Sequence, residues 1–250
     1  MGAIASRNRH VVFKGAMVLN TLMTNVPNVT TARRTEDIDA DWGAQNFSDA
    51  QLLHELQLSL SLLRDSDLYI IKTRDSSTKR SAGFAVRSHS SDETLFTLDI
   101  SMKTNNYSTT YNLAYNAGTV AFTGSHPCKI YVDKLTALST RVVYRRVKDI
   151  YDLYLLSTMS TVFKTDELSS ILASTGVELG DFHDFSNNAK KEKGIEYAYD
   201  KMVGISNKPT FDEMYARVKT FITPFIHSSN PPKAVWLSNI HTGNYGWILV

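Results

Sequence analysis

The chain has 250 residues, with 27 Lys or Arg, 25 Asp or Glu and 42% apolar side chains. That is enough apolar material for one large domain or two of ordinary size, which excludes a disordered tail. A net charge of +2 excludes a global field for nucleic acid or membrane, so any polyanion must be met by local patches. The single cysteine, Cys128, has no partner for an internal disulfide. There is no secretory signal pattern and no apolar run near the ~20 residues of a membrane span, so a cytoplasmic protein is expected. Cys128 reads as a buried bystander.

Taken in chain order, the apolar run Val11 to Phe13 enters Lys14-Gly15 and then a helix over Gly15 to Met23. Arg33 to Trp42 follows, with Asp, Ile, Asp, Ala, Asp and Trp alternating from 37 to 42. Ser48, with Gln51 three residues later, predicts a capped helix whose stripe is Leu52, Leu56, Leu60 and Leu63. Asp67 to Thr73, Ser81 to Arg87 and Thr94 to Ser101 carry β-branched or aromatic residues at period two and predict strands of one antiparallel sheet. Near Ser125 the periodicity becomes helical. Ile130, Leu135, Leu138 and Val142 recur at three to five residues, then Ile150, Leu153 and Leu156. A polar helix is expected over Asn187 to Met202. Thr210 and Glu213 form a capping box ahead of Met214, Val218, Phe221 and Phe225. The tail Gly246 to Val250 reads equally as a docked segment or a strand. The expected class is α+β: a domain over 1–125 with a mixed or antiparallel sheet and flanking helices, then a helical domain over 126–250.

Strand alternation places Asp37, Asp39 and Asp41 on one face and Ile38, Ala40 and Trp42 on the other. Like charges in a row repel, and Asp is depleted in strands, so the row calls for a cation; hard oxygen ligands favour Mg²⁺ or Mn²⁺. A solvated acidic loop has the same local pattern, because DxD is short. In Thr94 to Ser101, Phe96, Leu98 and Ile100 face one way and Asp99 the other, as a third ligand from a neighbouring strand would. Gly15 opens a helix whose first N–H groups are suited to phosphate oxygens, and a plain packing turn fits that glycine equally well. Downstream, Lys134, Leu138 and Arg141 fall on one helical face, and Asp149 and Asp152 at i, i+3 converge on one point. Arg145, Arg146 and Lys148, with Lys190, Lys191 and Lys193, offer phosphate-binding side chains for a nucleoside triphosphate or an RNA backbone.

In order, Lys14-Gly15, Arg34-Thr35-Glu36-Asp37-Ile38-Asp39, Asp99, Asp133 to Arg141, and Lys148-Asp149-Ile150-Tyr151-Asp152-Leu153 resemble the successive motifs of the AbiEii/AbiGii toxin family. The match spans about residues 11 to 158. The resemblance implies a nucleotidyltransferase fold of the DNA polymerase β type with a helical C-terminal region. It implies Asp37, Asp39 and Asp99 as ligands of Mg²⁺ or Mn²⁺, Lys134 as the lysine on the nucleotide, and Asp149 as a late essential aspartate. Lys14, Gly15, Arg141 and Asp152 fall on further nucleotide-binding positions. The implied activity is transfer of a nucleoside monophosphate from an NTP to a tRNA or other RNA, or to a protein. The implied partner is an antitoxin, in a toxin–antitoxin or phage-defence pair, and no membrane. The resemblance departs at Ala16, where the family has Gly or Ser, and this leaves a non-catalytic nucleotide- or partner-binding relative as the competing reading.

Overall fold

A computed structural model of the chain describes residues 1–24, 35–43, 47–63, 67–79, 81–115, 118–139, 142–159, 161–239 and 242–250. It divides into two compact units, Met1–Leu22 with Thr35–His126, and Met23–Arg34 with Pro127–Val250; of Met23–Arg34 only Met23 and Thr24 are described.

The first unit is built on one seven-stranded mixed sheet. Its strands are β1 (Val12–Lys14), β2 (Asp37–Asp41), β3 (Leu68–Arg74), β4 (Ser81–Ser88), β5 (Thr94–Ser101), β6 (Ser108–Tyr115) and β7 (Gly118–Ser125), in the order β3-β4-β5-β2-β1-β7-β6. The pairs β2–β5 and β1–β7 are parallel and the others antiparallel. The strands expected at 67–73, 81–87 and 94–101 therefore do run antiparallel to one another. The sheet becomes mixed because β5 lies parallel to the acidic strand. The hairpin β6–β7 went unread, its Thr- and Tyr-rich alternation lying just before the change of periodicity.

Among the described residues the helices of this unit are α1 (Gly2–Arg7), α2 (Gly15–Thr24, whose last two residues fall in the second unit), α3 (Asp49–Leu60) and α4 (Ser76–Lys79). The capping box at Ser48 and Gln51 forms as expected. Leu52 and Leu56 are buried, whereas Leu63 lies past the helix end and is exposed. Ile38 of β2 and Leu98 of β5 line an apolar face with residues of α1 and α3, so by alternation Asp37, Asp39 and Asp99 are displayed on the opposite face.

The second unit contains α5 (Pro127–Leu138), a 3₁₀ turn at Val143–Arg146, α6 (Val147–Thr158), α7 (Thr165–Thr175), α8 (His183–Ser186), α9 (Ala189–Asp200) and α10 (Phe211–Ile222). The Thr210–Glu213 capping box opens α10, and Asn188 caps α9. The helical C-terminal region also carries a small sheet, which takes in the tail that reads as a docked segment or a strand. Strands β8 (Phe163–Lys164), β9 (Ala234–Ser238) and β10 (Tyr245–Leu249) form an antiparallel sheet in the order β10-β9-β8. β8 is two residues long and β9 and β10 five each, and tertiary packing makes them. Trp236 is buried against Phe221 at 4.6 Å between ring centroids, and Trp247 donates its indole N–H to the Phe221 carbonyl. Cys128 is buried as expected, and that burial, with Glu167 beside it, pushes its thiol pKa up.

Candidate active site

The acidic row is set by strand register. Asp39 lies opposite Asp99 across the parallel β2–β5 pair, and opposite Lys14 across the antiparallel β1–β2 pair. Neighbouring strands are about 4.8 Å apart, so paired residues on one face are close enough to share a small cation. Asp37 is exposed and accepts a hydrogen bond from Thr97 Oγ1 at 2.6 Å. Asp99 accepts from Arg74 Nη2 at 2.6 Å. With Asp37 turned to Thr97 and Asp99 to Arg74, the oxygens of Asp37, Asp39 and Asp99 are not all drawn within 4.8 Å of one another.

Asp41 plays a different part from its neighbours in the row. It is buried, and its Oδ1 receives Lys14 Nζ at 2.6 Å and the Ser101 hydroxyl. Lys14, expected at the nucleotide, is thus engaged with Asp41. This pairing answers part of the repulsion that the sequence assigns to a metal, because β1 supplies a cation of its own.

Gly15 follows directly. Its φ is +69°, a left-handed conformation that favours glycine, and a Cβ built there would collide with the Asp39 carboxylate Oδ2. The turn from β1 into α2 is therefore shaped around Asp39, which makes Gly15 more than a packing residue. Ala16 is buried at 5% exposure, so its methyl group points into the core.

In the second unit, α5 presents Lys134 to the first turns of α6. Lys134 Nζ lies 2.7 Å from Asp149 Oδ1 and 2.8 Å from Asp152 Oδ2, with Asp152 fully buried. The i, i+3 spacing converges as expected. Burial works against the Lys134 charge, but Asp152 and Asp149 outweigh it and hold the ammonium pKa above its ordinary value of 10.5. Two of its three N–H donors are taken; the third has no partner among the described residues. Arg146 extends the group, its Nη1 lying 3.8 Å from Asp149 Oδ2. Helix α5 ends at Leu138, and Arg141 lies outside the described residues.

Three residues near the row went unread: Thr97, Arg74 and Gly83. Only Gly83 carries a local signal, a glycine inside a strand pattern, which marks a close approach of another group.

The donor set fits a hard divalent cation. Asp37, Asp39 and Asp99 offer carboxylate oxygens from two adjacent strands on one face, and the chain leaves room for the Asp39 carboxylate by placing glycine at 15.

A family model for the nucleotidyl transferase AbiEii toxin of type IV toxin–antitoxin systems matches residues 3–217, further at both ends than the motifs alone reach. Among solved structures, the chain is similar to MenT4, a nucleotidyltransferase toxin from Mycobacterium tuberculosis H37Rv. The TM-score is 0.53 at 14% identity, over 87% of this chain and 77% of that one, a likeness of fold alone. No curated protein matches the chain. That family model spans most of the chain: the chain belongs to the AbiEii nucleotidyltransferase toxin family.

Proposed function

We propose that the α+β domain, 1–125, performs Mg²⁺- or Mn²⁺-dependent transfer of a nucleoside monophosphate from an NTP to an acceptor. RNA, and a tRNA end in particular, is the favoured acceptor over a protein side chain. In the helical domain, 126–250, Lys134 is a further nucleotide-binding candidate by motif. The observation that carries this reading is Asp39, set opposite Asp99 on β5 and enclosed by the left-handed turn at Gly15.

Asp37, Asp39 and Asp99 would hold the cation. When bound, a divalent ion polarises phosphoryl oxygens and lowers the pKa of a nearby hydroxyl. The chain's own residues do the positioning. The Gly15 turn keeps the Asp39 carboxylate in place, and Thr97 orients Asp37. Asp149 and Asp152 keep Lys134 charged and leave one N–H for a phosphate oxygen. Arg141 and Lys14 are further nucleotide-binding candidates by motif. The acceptor hydroxyl oxygen bonds the α-phosphorus in line and gives up its proton to solvent, the bond from that phosphorus to the bridging oxygen breaks, and pyrophosphate leaves with the electron pair.

The setting is a cytoplasmic toxin of a toxin–antitoxin or phage-defence pair, with an antitoxin protein as partner. Among the described residues no helix is long and apolar enough to cross a membrane. Exposed Arg145, Arg146, Lys148, Lys190 and Lys193 supply phosphate contacts for an RNA acceptor, so its affinity falls steeply with added salt. Ala16 gives no ground for a binding-only relative, since its methyl group is buried in the core and away from solvent.

The test is incubation with each labelled NTP, Mg²⁺ and total RNA. Label removed by ribonuclease identifies RNA as acceptor, and label removed by protease identifies a protein. No transfer from any NTP contradicts the enzymatic reading.

A further inference from the structure

Arg74 reaches the acidic row through three separate devices. The first is register: Arg74 on β3 lies opposite Gly83 on β4, and Gly83 lies opposite Asp99 on β5, which lies opposite Asp39. The second is a β-bulge. Lys72 pairs with Phe84, yet Arg74 and not Thr73 pairs with Gly83, so one extra residue in β3 re-aims Arg74. The third is the missing side chain at buried Gly83. A Cβ there would lie 3.1 Å from Arg74 Cβ and 3.5 Å from Arg74 Cζ, within the path the arginine takes across β4. The guanidinium is then fastened, with Nε 3.4 Å from the Ser81 carbonyl and Nη2 2.9 Å from Ser81 Oγ and 2.6 Å from Asp99 Oδ2.

We infer that Arg74 is a positioning residue for the proposed metal site, a built-in counter-charge that holds Asp99 and lowers the affinity of the row for a divalent ion. This rests on the metal-dependent reading above. A fixed cation on the third carboxylate competes with an incoming one, so the row binds its ion loosely enough to exchange it. The bulge and the glycine show that this pairing is specified by the backbone, whereas an ordinary surface ion pair depends only on two long side chains meeting.

The test is Mn²⁺ binding to the full, metal-stripped chain by electron paramagnetic resonance, with thermal melting as a check on folding. Arg74→Ala and Arg74→Gln should tighten Mn²⁺ binding roughly five- to tenfold, the influence of one unit charge on a divalent ion a few ångströms away. Arg74→Lys should stay within about twofold of wild type, since the charge remains. In an Asp99→Asn background the gain should shrink, because the part of it that Arg74 exerts by occupying that carboxylate is gone. A merely structural arginine predicts weaker binding on removal, and unchanged or weaker binding in both variants would overturn the inference. So would a gain that persists undiminished with Asp99→Asn. If wild type binds no Mn²⁺, or Asp39→Asn binds it equally well, the metal-dependent reading itself fails, and this inference with it.

Discussion

The acidic row of the first unit and the Lys134 group of the second use the same residue types and differ in where their charge is balanced. In the row, Asp41 receives Lys14 from the neighbouring β1 and Asp99 receives Arg74 from β3 across β4, while Asp37 stays exposed with a threonine for its partner. In the Lys134 group, one mostly buried ammonium is shared by two carboxylates, one of them fully buried. Solvent screens Asp37 and Asp99 more than it screens the Lys134 group, whereas Asp41 is buried like the latter. Breaking the Lys134 group should therefore be felt in folding, whereas altering the outer carboxylates of the row should be felt in ion binding and turnover.

The largest effect on stability is expected at Lys134→Ala, which leaves Asp152 charged and buried without its ammonium. Breaking such a pair costs about 3–5 kcal/mol, read by urea denaturation. If Lys134→Ala unfolds like wild type, the comparison fails on its buried side. The pH dependence sharpens the same point. The folded pKa of Lys134 is raised, so its contribution is fully present below the unfolded value near 10.5 and is lost as pH rises through the folded one. The stability difference between wild type and Lys134→Ala should stay constant from neutral pH up to that range; a difference that fades by pH 8 would contradict the assignment.

Gly15→Ala comes next. A left-handed alanine costs about 1–2 kcal/mol, and the added carbon pushes on Asp39, so a modest loss of stability should accompany a clear loss of Mn²⁺ affinity. Stability lost with ion binding intact would leave Gly15 a turn residue only. The smallest effect is expected at Thr97→Val. Asp37 is exposed, so stability should change by less than about 0.5 kcal/mol and ion affinity by less than about tenfold.

What the sequence made legible follows from period and order. The alternation at 37–42 placed Asp39 and Ile38 on opposite faces, and the i, i+3 spacing of Asp149 and Asp152 carried through to their shared partner. These are local relations that the backbone geometry enforces. The partners were less legible. Lys14 reaching Asp41, and Arg74 reaching Asp99 across β4, depend on strand order and on a bulge, neither of which has a short-range signature. In the sheet β10-β9-β8 only the tail that carries β10 reads as a candidate strand; β8 and β9 have no signal of their own, and Trp236 packing on Phe221 makes them.

The central claim is that the exposed end of the acidic row performs the chemistry through Asp39. It is tested most directly by measuring label transfer from NTP with purified Asp39→Asn beside wild type, both shown to melt alike. The account predicts a fall of about three powers of ten, the several kcal/mol that a metal-held phosphoryl group supplies, with little change in melting temperature. Transfer by Asp39→Asn at the wild-type rate would contradict it.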